Sequence, residues 1–184
     1  MTDADDPLVD AQPLVPGLVV RLTYATASNL ARRALYPPDM KCLLRRSVAE
    51  RLAQAQRALA RSQRTLVAWD CFRPKEAQEA LWKALPVPGA VADPQKGSLH
   101  ERGVAIDVGL LALDGSPVPL PTHHDEFNAR THADAPLPDG PAKQNRDLLI
   151  RALHDAGFRV NPKEWWHFSR LWGYRWPVGR LPRP

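Results

Sequence analysis

The stretch Ser98-Leu-His-Glu-Arg-Gly-Val-Ala-Ile-Asp107 opens an apolar, partly β-branched run, GVAIDVGLLAL over residues 103–113, that reads as the central strand of the chain. An aspartate inside such a run is in the wrong solvent. Burying an unpaired carboxylate costs several kcal/mol, so Asp107 needs a cation, a set of donors or a metal beside it. His100, on the loop leading into the strand, is a candidate co-ligand. Regular strand geometry would point the two side chains to opposite faces, so they converge only if the chain turns between them, and Gly103 permits that turn. Taken alone, the stretch leaves equally open a structural aspartate with a surface histidine nearby.

Working outward, Asp114-Gly115 is a turn signal followed by a return through SPVPL, residues 116–120. Ahead of the strand, residues 86–97 (PVPGAVADPQKG) form a loop rich in Pro and Gly. Before that loop, TLVAW (65–69) is a short strand running into Asp70-Cys-Phe-Arg73-Pro74. Pro74 suits the first turn of a helix, PKEAQEALWKAL, and disfavours helix at the residue before it. Arg73 therefore sits at a strand-to-helix junction, aimed either into a cleft or into a surface ion pair with Asp70 or Glu76. Ser47-Val-Ala-Glu50 is a capping box, and Leu44, Val48, Leu52, Ala55 and Leu59 recur at helical spacing as the core face of a scaffold helix. Residues 1–17 read as an extended lead-in, LVVRLTY (18–24) as a first strand, and Tyr36-Pro-Pro-Asp39 as a loop.

With 184 residues, the chain is expected to be one domain with a substantial core. No apolar run approaches the roughly 18 residues that span a bilayer, and the acidic start MTDADDPLVD is unlike a signal peptide, so the expectation is no membrane partner and a cytoplasmic location, or a periplasmic one if a leader has been removed. The net charge of +5 is spread over the chain without a basic stripe, so no nucleic-acid role is expected. Cys42 and Cys71 make neither a metal-ligand spacing nor a disulfide framework; they read as small buried residues, with a single bridge left open.

The polar segment 122–141 holds three of the six histidines, His123, His124 and His132. Adjacent residues rarely chelate one ion together, so His123 and His124 are expected to face solvent. Residues 141–158 form the last helix, with Leu148, Leu149, Ala152 and Leu153 as its core face and Gly157 as the C′ residue; His154 on it is structural or exposed. The second decisive stretch follows: Glu164-Trp165-Trp166-His167-Phe168. Two tryptophans and a phenylalanine make it a buried support, yet it also carries an acid and a histidine. With His100 and Asp107 it completes a set of two histidines and one aspartate plus a free glutamate. Three N/O ligands with an open fourth position match a catalytic zinc, and a carboxylate beside the metal can take and return a proton.

The motifs W-D-x-F-R-P, S-x-H-x-x-G-x-A-x-D and E-W-W-H-F, in this order along the chain, resemble the D-alanyl-D-alanine dipeptidases, the vancomycin-resistance-type branch of the zinc D,D-peptidases. LTYAT (22–26) and Gln144-Asn-Arg146 fall in the family's order as well, so the likeness covers nearly the whole chain. It implies an α+β fold, with a small, mainly antiparallel sheet carrying the ligands and helices on one side, as in hedgehog-type domains. It also implies one Zn²⁺ held by His100, Asp107 and His167, Glu164 as general base and acid, and Arg73 as the cation that stabilises the oxyanion. Asp125 would pair with the substrate's ammonium, with Glu126 one residue away as a rival; Tyr24 would line the same end and Ser98 would meet the substrate carboxylate. The implied substrate is a small D,D-dipeptide; oligomeric state is not decided. Residues 86–97 are shorter than the corresponding family segment, which leaves open a D,D-carboxypeptidase acting on longer wall peptides. A non-catalytic zinc-stabilised module is the other alternative, although it has no need for Glu164 or Arg73.

Overall fold

In the computed structural model, which describes residues 5–85, 91–126 and 128–179, the run after Gly103 becomes the middle strand of a five-stranded sheet. In chain order the elements are β1 (Leu8–Asp10), β2 (Val19–Val20), β3 (Leu43–Arg45), α1 (Arg46–Arg61), β4 (Arg64–Asp70), α2 (Lys75–Ala84), β5 (Ala105–Ala112), α3 (Pro141–Asp155), β6 (Phe158–Asn161) and β7 (Glu164–Arg170). The large sheet has the order β2-β4-β5-β7-β6; only the β2–β4 pair is parallel. β1 and β3 form a separate antiparallel pair. This is the α+β architecture expected, with α1 and α3 packed on each other and on the sheet.

Because side chains alternate along a strand, β5 divides the molecule. Ile106, Val108 and Leu110 enter the core with Leu66, Ala68 and Phe168 from the neighbouring strands and with Leu52, Leu59, Leu149 and Leu153 from the helices. Asp107, Gly109 and Leu111 point the other way. Gly109 has to be small: a Cβ there would lie 2.2 Å from the Trp69 ring, which rests on that face. The segment after β5 is tied down over it, since Trp165 Nε1 donates to Thr122 Oγ1 (3.0 Å) and Asn145 Nδ2 to the Pro119 carbonyl (2.9 Å).

Local signals held where the chain supplies its own punctuation. α2 starts directly after Pro74, the Asp114-Gly115 turn closes with Ala112 N–H on the Ser116 carbonyl, and Gly157 follows α3 with φ +85. Three expectations are corrected, and the bridge left open between Cys42 and Cys71 is present. The lead-in supplies β1 and a 3-10 turn at Gln12–Leu14, and it carries the buried Asp6. The first strand stops at Val20, and a 3-10 turn, Thr23–Ala25, follows. The capping box is not made; Asp6 accepts both the Ser47 N–H (2.9 Å) and its hydroxyl (2.6 Å), and Leu44 belongs to β3 rather than to the helix. Cys42 and Cys71 are buried but bonded to one another. The loop expected at 86–97 is only partly visible, because 86–90 lie outside the described residues.

The bridge closes a 29-residue separation, for which chain-entropy arguments give about 3–4 kcal/mol. Replacing both cysteines by serine is therefore expected to lower Tm by roughly 10 °C in a chain of this size, measured by thermal unfolding; an unchanged Tm would contradict it.

Candidate metal centre

Asp107 and His167 are directly opposed on β5 and β7 and so share a face. His167 Nδ1 lies 2.9 Å from Asp107 Oδ1. His100 reaches the same point from outside the sheet. The turn between it and Asp107 is made at Gly103, whose φ of +69 favours glycine and where a Cβ would come within 2.3 Å of a Leu8 methyl. His100 Nε2 comes within 3.3 Å of Asp107 Oδ1 and 3.1 Å of His167 Nδ1. The three ligand atoms all lie within 4.8 Å of one another.

The donor set suits a divalent ion. His100 Nδ1 is 2.7 Å from the Cys71 carbonyl, which only accepts, so Nδ1 carries the proton and the Nε2 lone pair faces the cluster. Burial pushes the Asp107 carboxyl up, but His100 and the hydrogen bonds from His100, His124 and His167 hold it well below its ordinary range. Burial likewise pushes His100 down, while Asp107 and Asp70 more than offset this and raise it. A bound metal has to displace that extra proton, so affinity weakens as pH falls.

Asp70, fully buried at the end of β4, organises the wall behind the cluster. Its Oδ2 accepts Arg73 Nε (3.0 Å) and Nη2 (2.7 Å) and lies 3.3 Å from His100 Nδ1. Its Oδ1 accepts the Cys71 N–H and the Tyr36 hydroxyl. Arg73 is thus paired with Asp70, yet buried rather than on the surface, and it lines the cavity. Nη1 also donates to Gln78 Oε1 (2.8 Å), and the guanidinium lies 5.0 Å from the centre of the Tyr24 ring. These contacts occupy three of its five N–H groups.

The cavity over the cluster measures about 390 Å³, and Tyr24, Arg73, Ser98, Asp125 and Glu164 all line it together with the three ligands. Glu164 lies outside the ligand set. Burial, with Asp107 nearby, raises its carboxyl above the usual range against the opposing pull of His167 and His100, and Asn161 Nδ2 donates to Oε2 (2.6 Å). Asp125 sits at φ +60, uncommon outside glycine, and its buried Oδ2 has no hydrogen-bond partner among the described residues. Ser98 is engaged in its own turn: its N–H donates to Glu101 Oε2 (2.7 Å) and its Oγ accepts the Glu101 N–H (3.1 Å), which leaves its hydroxyl proton able to donate toward the cavity. Glu126 instead accepts the His123 N–H.

Known proteins bear on this geometry. The family profile described as D-ala-D-ala dipeptidase matches residues 4–172. The chain belongs to that family. It is 37% identical over 169 residues to the D-alanyl-D-alanine dipeptidase of Escherichia coli, covering 92% of this chain and 86% of that one. To the enzyme of the same name from Enterococcus faecium it is 31% identical over 140 residues, 66% of this chain and 69% of the relative. To that of Enterococcus faecalis it is 28% identical over 168 residues, 80% and 83% respectively.

In this member of the dipeptidase family the sequence reading missed three contributors. Asp70 was seen only as an ion-pair partner, and Asn161 was not seen. His124 was expected in solvent with His123; His123 and His132 are exposed, but the His124 side chain is only 5% exposed. Its ring stacks on Trp69 (5.3 Å, 24°) and its Nε2 lies 3.1 Å from Asp107 Oδ2. No local signal separates the two adjacent histidines, because the aromatic box is assembled from distant segments.

Proposed function

We propose that the chain is a zinc-dependent dipeptidase that hydrolyses D-alanyl-D-alanine to D-alanine. The observation carrying this reading is a division of labour in one small cavity: three ligand atoms converge while a fourth, half-buried group, the Glu164 carboxyl, is hydrogen-bonded by Asn161 outside that set. His100, Asp107 and His167 would hold the ion. Bound there, zinc supplies carbonyl polarisation and lowers the pKa of water to roughly 7. Glu164 takes the proton from the attacking water and delivers it to the leaving amine, a role suited to a carboxyl raised above its usual range. The two unengaged N–H groups of Arg73 stabilise the negative charge developing on the scissile carbonyl oxygen. The unpaired Asp125 Oδ2, with Tyr24 beside it, receives the substrate ammonium, and the Ser98 hydroxyl donates to the terminal carboxylate. The Cys42–Cys71 bridge favours an oxidising compartment, the periplasmic alternative. No helix among the described residues is long and apolar enough to cross a membrane.

The test compares free D-Ala-D-Ala, its N-acetyl derivative and a pentapeptide ending in the same pair. Removing the ammonium is expected to lower kcat/KM by at least about tenfold, because Asp125 is then buried without its partner. Equal cleavage of all three would replace the dipeptidase by a carboxypeptidase with an open groove.

A further inference from the structure

We propose that His124 is a positioning residue of the metal centre, holding Asp107 by its outer oxygen so that the aspartate meets the ion through Oδ1 alone. The inference rests on the metal site proposed above and adds a residue outside the ligand set. The two oxygens of Asp107 have different surroundings. Oδ1 faces the other ligands, 2.9 Å from His167 Nδ1 and 3.3 Å from His100 Nε2. Oδ2 is met from the far side by His124 Nε2 at 3.1 Å. The other ring nitrogen is 3.0 Å from Thr23 Oγ1, and the ring stacks on Trp69, with the Trp166 and Tyr24 rings set steeply across it, their centroids 5.7 and 6.2 Å away. Trp69 in turn rests on Gly109, two residues beyond Asp107 on the same face of β5. The imidazole therefore has one tilt and one in-plane rotation available.

A carboxylate free to turn can offer a metal both oxygens, and the second would take the coordination position that a reacting water needs. A donor fixed on Oδ2 prevents this and aligns Oδ1. The position of His124 in the chain adds a second consequence. Asp125 follows it directly, turned by its left-handed backbone, and its Oδ1 is 3.6 Å from His124 Nε2. One ring thus borders both the metal ligand and the carboxylate assigned to the substrate ammonium.

If His124 were only an aromatic filler between Trp69 and Trp166, phenylalanine would replace it. The experiment measures the zinc dissociation constant of the full chain by chelator competition, for wild type, His124→Phe, His124→Gln and Thr23→Val, with folding checked by circular dichroism. His124→Phe is expected to bind zinc about 10–100-fold more weakly, and its kcat for D-Ala-D-Ala to fall with it. His124→Gln, whose amide N–H can replace the lost donor, recovers part of the affinity, and Thr23→Val gives a smaller loss. A His124→Phe chain that binds zinc as tightly as wild type overturns the proposal. Should that chain fail to fold, wild-type affinity in Thr23→Val overturns it instead. Wild type that binds no zinc at all would overturn the metal reading and this inference with it, whereas normal wild-type binding with an unaffected His124→Phe overturns this inference alone.

Discussion

Glu164→Gln is expected to lower kcat for D-Ala-D-Ala by about 10²–10⁴-fold while leaving zinc content unchanged, the range that general acid–base catalysis contributes. The substitution keeps the shape of the side chain and an oxygen to accept the Asn161 amide N–H, now 2.6 Å from Oε2, but removes the capacity to take a proton. His100, Asp107 and His167 are untouched, so chelator competition should return the wild-type affinity. The pH profile carries the same signature. Burial raises the Glu164 carboxyl above its ordinary value, so its base form disappears as pH falls through that raised value, and the acid limb of kcat/KM lies above the ordinary carboxylate range. A Gln variant with kcat within tenfold of wild type would remove Glu164 from the mechanism.

Arg73→Lys is expected to cost about 10²–10³-fold in kcat, with a smaller change in KM. Among the described residues the guanidinium spends Nε and Nη2 donors on Asp70 and an Nη1 donor on Gln78, leaving two N–H groups on a rigid plane. A lysine ammonium can keep the charge opposite Asp70 but cannot hold that contact and reach the cavity in the same fixed geometry. Lysine is the informative replacement: alanine would leave Asp70 buried without its cation, a loss of several kcal/mol that would confuse folding with catalysis. A lysine variant with wild-type kcat would show that Arg73 acts only as Asp70's partner.

The cluster of His100, Asp107 and His167 was legible because each member stands out against its own neighbours. Asp107 interrupts an apolar strand, Gly103 marks the turn that brings His100 round, and His167 and Glu164 sit among aromatic residues with no reason to include them. α2 and α3 were legible for a similar reason, since Pro74 and Gly157 are punctuation carried within the segment. What escaped depends on contacts between distant parts of the chain. The cap of α1 comes from Asp6, 41 residues before Ser47. Two cysteines 29 positions apart can be bonded only if β3 and the end of β4 meet, which no local pattern states. The His124 side chain is buried because Tyr24, Trp69 and Trp166 close on it from three separate segments, and its sequence neighbour His123, without such a box, is exposed. A histidine's role is set by what surrounds it, and here the surroundings are tertiary.

The most direct test of the central claim is D-alanine release from D-Ala-D-Ala by metal-free protein as zinc is titrated back. Hydrolysis absent without metal and rising to a plateau at one zinc per chain is the expected result. Full activity in the metal-free chain, or one tightly bound zinc with no D-alanine released, would contradict it.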